Sequence, residues 1–193
     1  IHISDKKIVK NLKFKIKNLF KIMKNYLQNK EILKKIVKNI NLGNFEGLAI
    51  DSRIVKKNNL FLTIRGKKNN GVKFIPNALK KGAKYIVSSK IIKKYKKKTI
   101  RVKNEIRFLN QFAKLKRENS LATIIAITGS AGKTSLKNLI KQLLENFAAT
   151  HSSPRSFNNH FGVPISISNL SSSDKYGVFE VGMSKPGEIK NLS

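Results

Sequence analysis

The sequence predicts an α/β fold: a small N-terminal α/β domain, then the first part of a doubly wound parallel sheet. Three observations predict it. The stretch IIAITGSAGKTSLKNLI (Ile124–Ile140) passes from an apolar strand through a glycine-bounded loop into a helix. YGVFEVG (Tyr176–Gly182) is a short, nearly continuous apolar run, as in a strand buried on both faces of a parallel sheet. Strands and helices alternate, which places ligands at the carboxyl ends of the strands.

At 193 residues and 40% apolar content, the chain can bury a core. Its net charge is +31, but 35 of the 41 basic residues are Lys and only six are Arg. A nucleic-acid reader concentrates Arg and aromatics on one face. Here Lys runs through residues 6 to 141 and then nearly stops, a pattern of solvated faces rather than a specific nucleic-acid partner. The densest run, Lys90–Lys103, can still attract polyanions. Cysteine is absent, which excludes disulfides and thiolate metal sites. No apolar run approaches the ~18–20 residues that span a bilayer, so no membrane span is expected. The N-terminal segment lacks the continuous apolar core of a signal peptide, and a cytoplasmic setting is expected. The chain opens on Ile1 and closes on Ser193, inside a helix predicted from about Pro186; it reads as a fragment.

The elements follow in order. Residues 1–30 form a basic helical extension, with Ile8, Leu12, Ile16, Leu19, Phe20 and Met23 at helical spacing. An all-basic polar face admits a membrane-surface helix, although a plain amphipathic helix is the simpler reading. Residues 31–104 form the N-terminal domain. EILKKIVKNI is helical, GLAIDSR and NNLFLTIRG are short strands, FIPNALKKGA is a helix stopped by Gly82, and KYIVSS is a strand. Residues 91–104 read as a basic surface connection. Residues 105–193 begin the second domain with the helix Glu105–Asn119, whose Ile106, Leu109, Phe112, Ala113 and Leu115 point inward. After the strand LATIIAIT, the helix Thr134–Phe147 is expected to bury Leu136, Leu139, Ile140, Leu143, Leu144 and Phe147.

The loop between strand and helix suits a phosphate. Helix N-terminal N–H groups and the helix dipole favour an anion there. Gly129 and Gly132 let the backbone turn tightly, Lys133 can set an ammonium against phosphate oxygens, and the Thr134 hydroxyl can reach a Mg²⁺ ion on those oxygens. The loop so defined is Gly129, Ser130, Ala131, Gly132, Lys133, Thr134 and Ser135. The widespread nucleotide loop carries a further glycine where this sequence has Ile127. Mg²⁺ takes carboxylate oxygens, and acids are scarce beyond Lys133: Glu145, Asp174, Glu180 and Glu188. Glu180, near the carboxyl end of its strand, is the expected ligand, with an ion pair as the alternative. Glu188 is expected to serve the first turn of its own helix. In RSFNNHFGVPISISNL, the amides of Asn158 and Asn159 either bind a polar substrate or hold the loop. His160 reads as structural.

Together these residues resemble the Mur ligases, ATP-dependent amide-forming enzymes of peptidoglycan synthesis, whose shortened phosphate loop is Gly-x-x-Gly-Lys-Thr. That form accounts for Ile127. SFNNHFGVPISI, FEVGMSKPGEI and AIDSRIVKKNNLFLTIRG look most like the branch that adds D-alanyl-D-alanine, and the resemblance covers about residues 31–193. It implies ATP and Mg²⁺ as cofactors and UDP-MurNAc-tripeptide and D-Ala-D-Ala as substrates. It implies catalytic roles for Lys133 and Glu180, metal ligation by Thr134 and Glu180, and substrate-binding roles for Ser52, Arg53, Asn158 and Asn159. A monomer is expected for the full-length enzyme. Asn70–Gly71–Val72 departs from the family's Asp–Gly–His. The family's carbamylated lysine, adenine contacts and C-terminal domain are expected to lie beyond Ser193, so this chain alone is expected to be inactive. Residues 1–22 look like the tail of a neighbouring Mur ligase, with Met23 a natural start. Alternatives are another Mur or folylpolyglutamate-type ligase, a nucleic-acid-binding protein with a phosphate loop, and a non-catalytic nucleotide-binding remnant.

Overall fold

The computed structural model describes residues 2–38, 40, 42–66, 70–155 and 157–182. The predicted helix near Pro186, Glu188 and the stretch from Met183 onward lie outside the described residues.

Helix α1 (His2–Ile36) contains no Gly or Pro and runs unbroken through residue 30, where the basic extension was expected to end. A four-stranded parallel sheet follows, in the order β1 (Leu48–Ala49), β2 (Leu60–Leu62), β3 (Tyr85–Ser88), β4 (Thr99–Arg101). Helix α2 (Ile75–Lys80) lies between β2 and β3 in the chain. Strand β4 falls inside the stretch expected to be a surface connection. Only Ile100 of its three residues is buried, so the basic sequence around it masks the strand signal.

Side chains alternate across this sheet. Leu48, Leu60, Leu62, Val87 and Ile100 share a core with Ile32 and Leu33 of α1. Ala49, Phe61 and Ile86 pack on the other face with Ile75 and Ala78 of α2. Helix α3 (Glu105–Glu118), counted above with the second domain, buries Phe108, Leu109 and Phe112 in the first of these cores. Each such side chain contributes about 1.5–3 kcal/mol of transfer free energy. Ile165, from the later helix Gly162–Ser168, joins the same core, so α3 packs against elements of both sheets. Asn104 caps α3 by accepting from the Arg107 N–H at 2.8 Å.

The second sheet is parallel, in the order β5 (Thr123–Ile127), β7 (Tyr176–Glu180), β6 (Thr150–Ser152). Helix α4 (Lys133–Glu145) follows β5, and α5 (Gly162–Ser168) follows β6. Phe179 packs with Leu170 and Ile167. Glu180, on the opposite side of the strand, reaches α4. Strand β7 is central and buried from Gly177 to Glu180, as its apolar run predicts. Helix α4 differs from expectation. Leu136, Leu139, Leu143 and Phe147 are 48%, 54%, 54% and 82% exposed, and Ile140 and Leu144 are half-buried. The buried side chain of α4 is Lys137. The 3–4 spacing identifies the apolar face, but the face against the sheet is a different one.

Candidate active site

The site lies at the carboxyl ends of β5 and β7. The strand β5 ends at Ile127 and α4 begins at Lys133. Between them Gly129 (φ 150°) and Gly132 (φ 72°) take backbone conformations that L side chains rarely adopt. A Cβ at Gly132 would meet nothing within 4 Å, so the requirement there is conformational rather than steric. Ser130 to Ser135 line a cavity of about 220 Å³ together with Glu180. The first N–H groups of α4 lack a side-chain cap. The Lys133 ammonium lies over the loop, donating to the Gly129 carbonyl at 2.6 Å and facing that of Ser130 at 3.4 Å.

Glu180 is 2% exposed. Its two carboxylate oxygens have separate partners. The Thr134 hydroxyl donates to Oε2 at 2.7 Å, and the Asn158 amide donates to Oε1 at 2.7 Å. The structure thus brings together Lys133, Thr134, Glu180 and Asn158. Asn159 does something else: its Oδ1 accepts from the N–H groups of Phe161 and Gly162, at 3.1 and 2.9 Å, and fixes the start of α5. The ring of His160 lies against that of Phe161, the two tilted by 50°.

Ser52 and Arg53 lie on the loop after β1, and no hydrogen bond joins them to the phosphate loop among the described residues. Buried Ser52 accepts from the Asn77 amide at 3.2 Å. The Arg53 guanidinium pairs with Asp51 at 2.7 Å and holds that carboxyl below its ordinary range, with Arg155 adding to the effect. The corner after β1 therefore faces the loop after β6, although Arg53 itself is turned to solvent.

Sequence reasoning missed Lys137. It sits one turn beyond Thr134, and its ammonium donates to the carbonyls of Ser153, at 3.0 Å, and Arg155. Burial lowers its pKa, while nearby Glu180 acts in the opposite sense. Ser153 in turn accepts from the Glu180 N–H through Oγ at 3.2 Å. Lys137 thus ties the helix of the phosphate loop to the segment beside Glu180. Its signal was present, as a helical position facing the sheet, but one lysine among 35 does not stand out.

The donor set suits a Mg²⁺ ion: the Glu180 carboxylate and the Thr134 hydroxyl line one small cavity, both hard oxygen donors, and the Asn158 amide supports the carboxylate by its hydrogen bond. Among the described residues no cluster of three or more His, Asp or Glu forms an all-protein cage. Mg²⁺ in phosphate sites is held by one or two protein groups plus phosphate oxygens.

Residues 44–117 match a family model described as Mur ligase family, catalytic domain, and residues 127–193 match Mur ligase middle domain. A UDP-N-acetylmuramoyl-tripeptide–D-alanyl-D-alanine ligase of Rickettsia prowazekii is 39% identical over 150 residues, covering 77% of this chain and 33% of that protein. The crystal structure of the MurF ligase from Thermotoga maritima in complex with ADP is 30% identical, with a TM-score of 0.57 over 76% of this chain and 34% of that one. A MurF structure from Acinetobacter baumannii shares the fold with a TM-score of 0.69 at 24% identity, over 87% of this chain and 38% of that one. The chain thus spans about a third of the length of the curated relatives it matches. The shortened phosphate loop, the parallel sheet that carries it and both family matches agree: the chain belongs to the Mur ligase family.

Proposed function

We propose that these residues are the N-terminal part of an ATP-dependent ligase that joins D-Ala-D-Ala to UDP-MurNAc-tripeptide. The observation that carries the reading is the Thr134 hydroxyl at 2.7 Å from a buried Glu180 carboxylate, beside a loop that can cradle phosphate. In the proposed reaction, ATP phosphorylates the tripeptide's terminal carboxylate. The amine of D-Ala-D-Ala then attacks the acyl phosphate through a tetrahedral intermediate, and phosphate leaves. Lys133 and the α4 N-terminus neutralise charge on the transferring phosphoryl group. Thr134 and Glu180 would hold Mg²⁺, which supplies further charge neutralisation when bound. Asn158 orients Glu180 by its hydrogen bond. Asn159 supports the loop from behind, while Ser52 and Arg53 are assigned to the sugar-nucleotide end of the substrate. No side chain acts as a covalent nucleophile; the protein positions the reactants.

The test supplies ATP, Mg²⁺, UDP-MurNAc-tripeptide and D-Ala-D-Ala to the complete ligase polypeptide that contains these residues. Pentapeptide and ADP should form in equal amounts. Glu180→Gln should lower turnover by about 10²-fold or more while leaving the circular dichroism spectrum unchanged. Full turnover of Glu180→Gln at saturating Mg²⁺ would reduce Glu180 to a structural residue. Residues 23–193 alone should form no pentapeptide above a Lys133→Ala control, because without an oriented second substrate the proximity contribution of ~7–11 kcal/mol is lost.

A further inference from the structure

The N-terminal half of α1 stands clear of the protein body. The helix docks through Asn25, Asn29, Ile32 and Leu33, whose side chains bond or pack against the segment Phe45–Glu46 and the first core. Towards the N-terminus, Leu12, Ile16, Leu19, Phe20, Met23 and Leu27 are 58%, 46%, 59%, 67%, 49% and 57% exposed. At about 100° per residue these six fall in one arc of roughly 100°, centred roughly 150° around the helix from the docking face. The stripe is therefore not a continuation of the core face, and the body to which α1 docks lies on the other side. Lysines border it on both sides: Lys13, Lys24 and Lys17 along one edge and Lys15 along the other. Residues 10–24 hold six Lys and no Asp or Glu. Of the other exposed apolar residues here, Phe14 and Ile22 fall outside the arc.

We propose that this half of α1 lies on an anionic phospholipid surface, apolar arc in the acyl boundary and lysines among the headgroups. The charge pattern selects this occupant. A second copy of the helix would bring six more lysines against these six with no acid to meet them. A nucleic acid would engage the lysines and leave the apolar arc in water. An anionic bilayer satisfies both, the lysine stems spreading from the edge of the arc to the headgroups. No helix among the described residues is long and apolar enough to cross a membrane, so the contact is one of lying on the surface.

The experiment sediments the 193-residue chain with vesicles of phosphatidylcholine, alone or mixed with phosphatidylglycerol. Partition should be about tenfold or more stronger to the mixed vesicles, the behaviour of basic amphipathic helices. Because the rest of the chain is also basic, the deciding variant is apolar: Leu19→Glu with Phe20→Glu should cut that partition about tenfold or more. Both side chains are exposed, so the fold is retained, as circular dichroism will check. Lys94→Gln with Lys97→Gln, in the other basic run, should leave partition unchanged. Partition indifferent to the glutamate pair would overturn the proposal, since lysine charge alone would then explain binding. Full displacement by duplex DNA, or a solution dimer broken by the glutamate pair, would overturn it in favour of those partners.

Discussion

Lys116 carries an ammonium into the seam between α1 and α3. It is 1% exposed and donates to Asn25, Gln28 and Asn29 side-chain oxygens at 2.9, 2.8 and 2.7 Å. Burial lowers its pKa from the ordinary 10.5 to about 8. The unfolded chain then binds more protons than the folded one between these values, so the Lys116 contribution makes stability rise with pH across that window. Urea unfolding at pH 7.5 and 9.5 should show a higher midpoint at pH 9.5 for the parent, and a smaller increase for Lys116→Met. The substitution should also cost about 1–3 kcal/mol, since it strands buried amide oxygens. At this scale the sequence was partly legible. The pairing of Thr134 with Glu180 follows from a helix start and a strand end meeting at one edge of a parallel sheet. The division of labour between Asn158 and Asn159 does not follow, because adjacent side chains in a loop point wherever the local turn sends them. Lys116 and Lys137 were illegible for another reason: in a chain this rich in lysine, composition hides the buried ones.

Helix α4 has two faces of different kinds. One sets Lys137 against the Ser153 and Arg155 carbonyls, and another leaves Leu136, Leu139 and Leu143 about half exposed. Apolar periodicity tells which residues prefer to leave water, not which neighbour stands ready to receive them. That is why the spacing located the helix and misjudged its burial. Strand β4 shows the converse: three residues with one buried side chain make no periodic signal, and only pairing with β3 defines the strand. The exposed stripe on α4 should make the 193-residue chain self-associate with rising concentration. Sedimentation velocity should detect species heavier than the 21.8 kDa chain. Leu139→Gln with Leu143→Gln should shift the distribution towards monomer without lowering the unfolding midpoint by more than about 0.5 kcal/mol equivalent. A parent chain that stays monomeric at high concentration would contradict this.

At the scale of the molecule, the alternation of strands and helices foretold an α/β fold with a parallel sheet behind the phosphate loop, and the structure has it; that the sheet of the N-terminal domain is parallel too was not foretold. How the sheets join was not foretold, because the join is made by single side chains. Ile165 of α5 enters the core beneath the first sheet. One residue beyond α5, Asn169 accepts from the Leu48 N–H at 2.9 Å and donates to the Leu48 carbonyl at 3.0 Å. The approach is close enough that a Cβ on Gly47 would lie 2.2 Å from the Asn169 Oδ1. Asn169→Asp should be more damaging than Asn169→Ala, because it turns a donor into a charged acceptor facing the Leu48 carbonyl. Thermal unfolding should rank the parent highest and the aspartate lowest, by a gap of about 1–3 kcal/mol between parent and aspartate.

That one amide does what a fifth strand would do. Leu48 is the outer rung of the first sheet, and its N–H and carbonyl on the open side are the groups by which a sheet recruits another chain. With Asn169 seated there, the template is already copied once, by the molecule itself, and cannot be copied again. While Asn169 holds both groups, neither is free to pair with a strand of another chain.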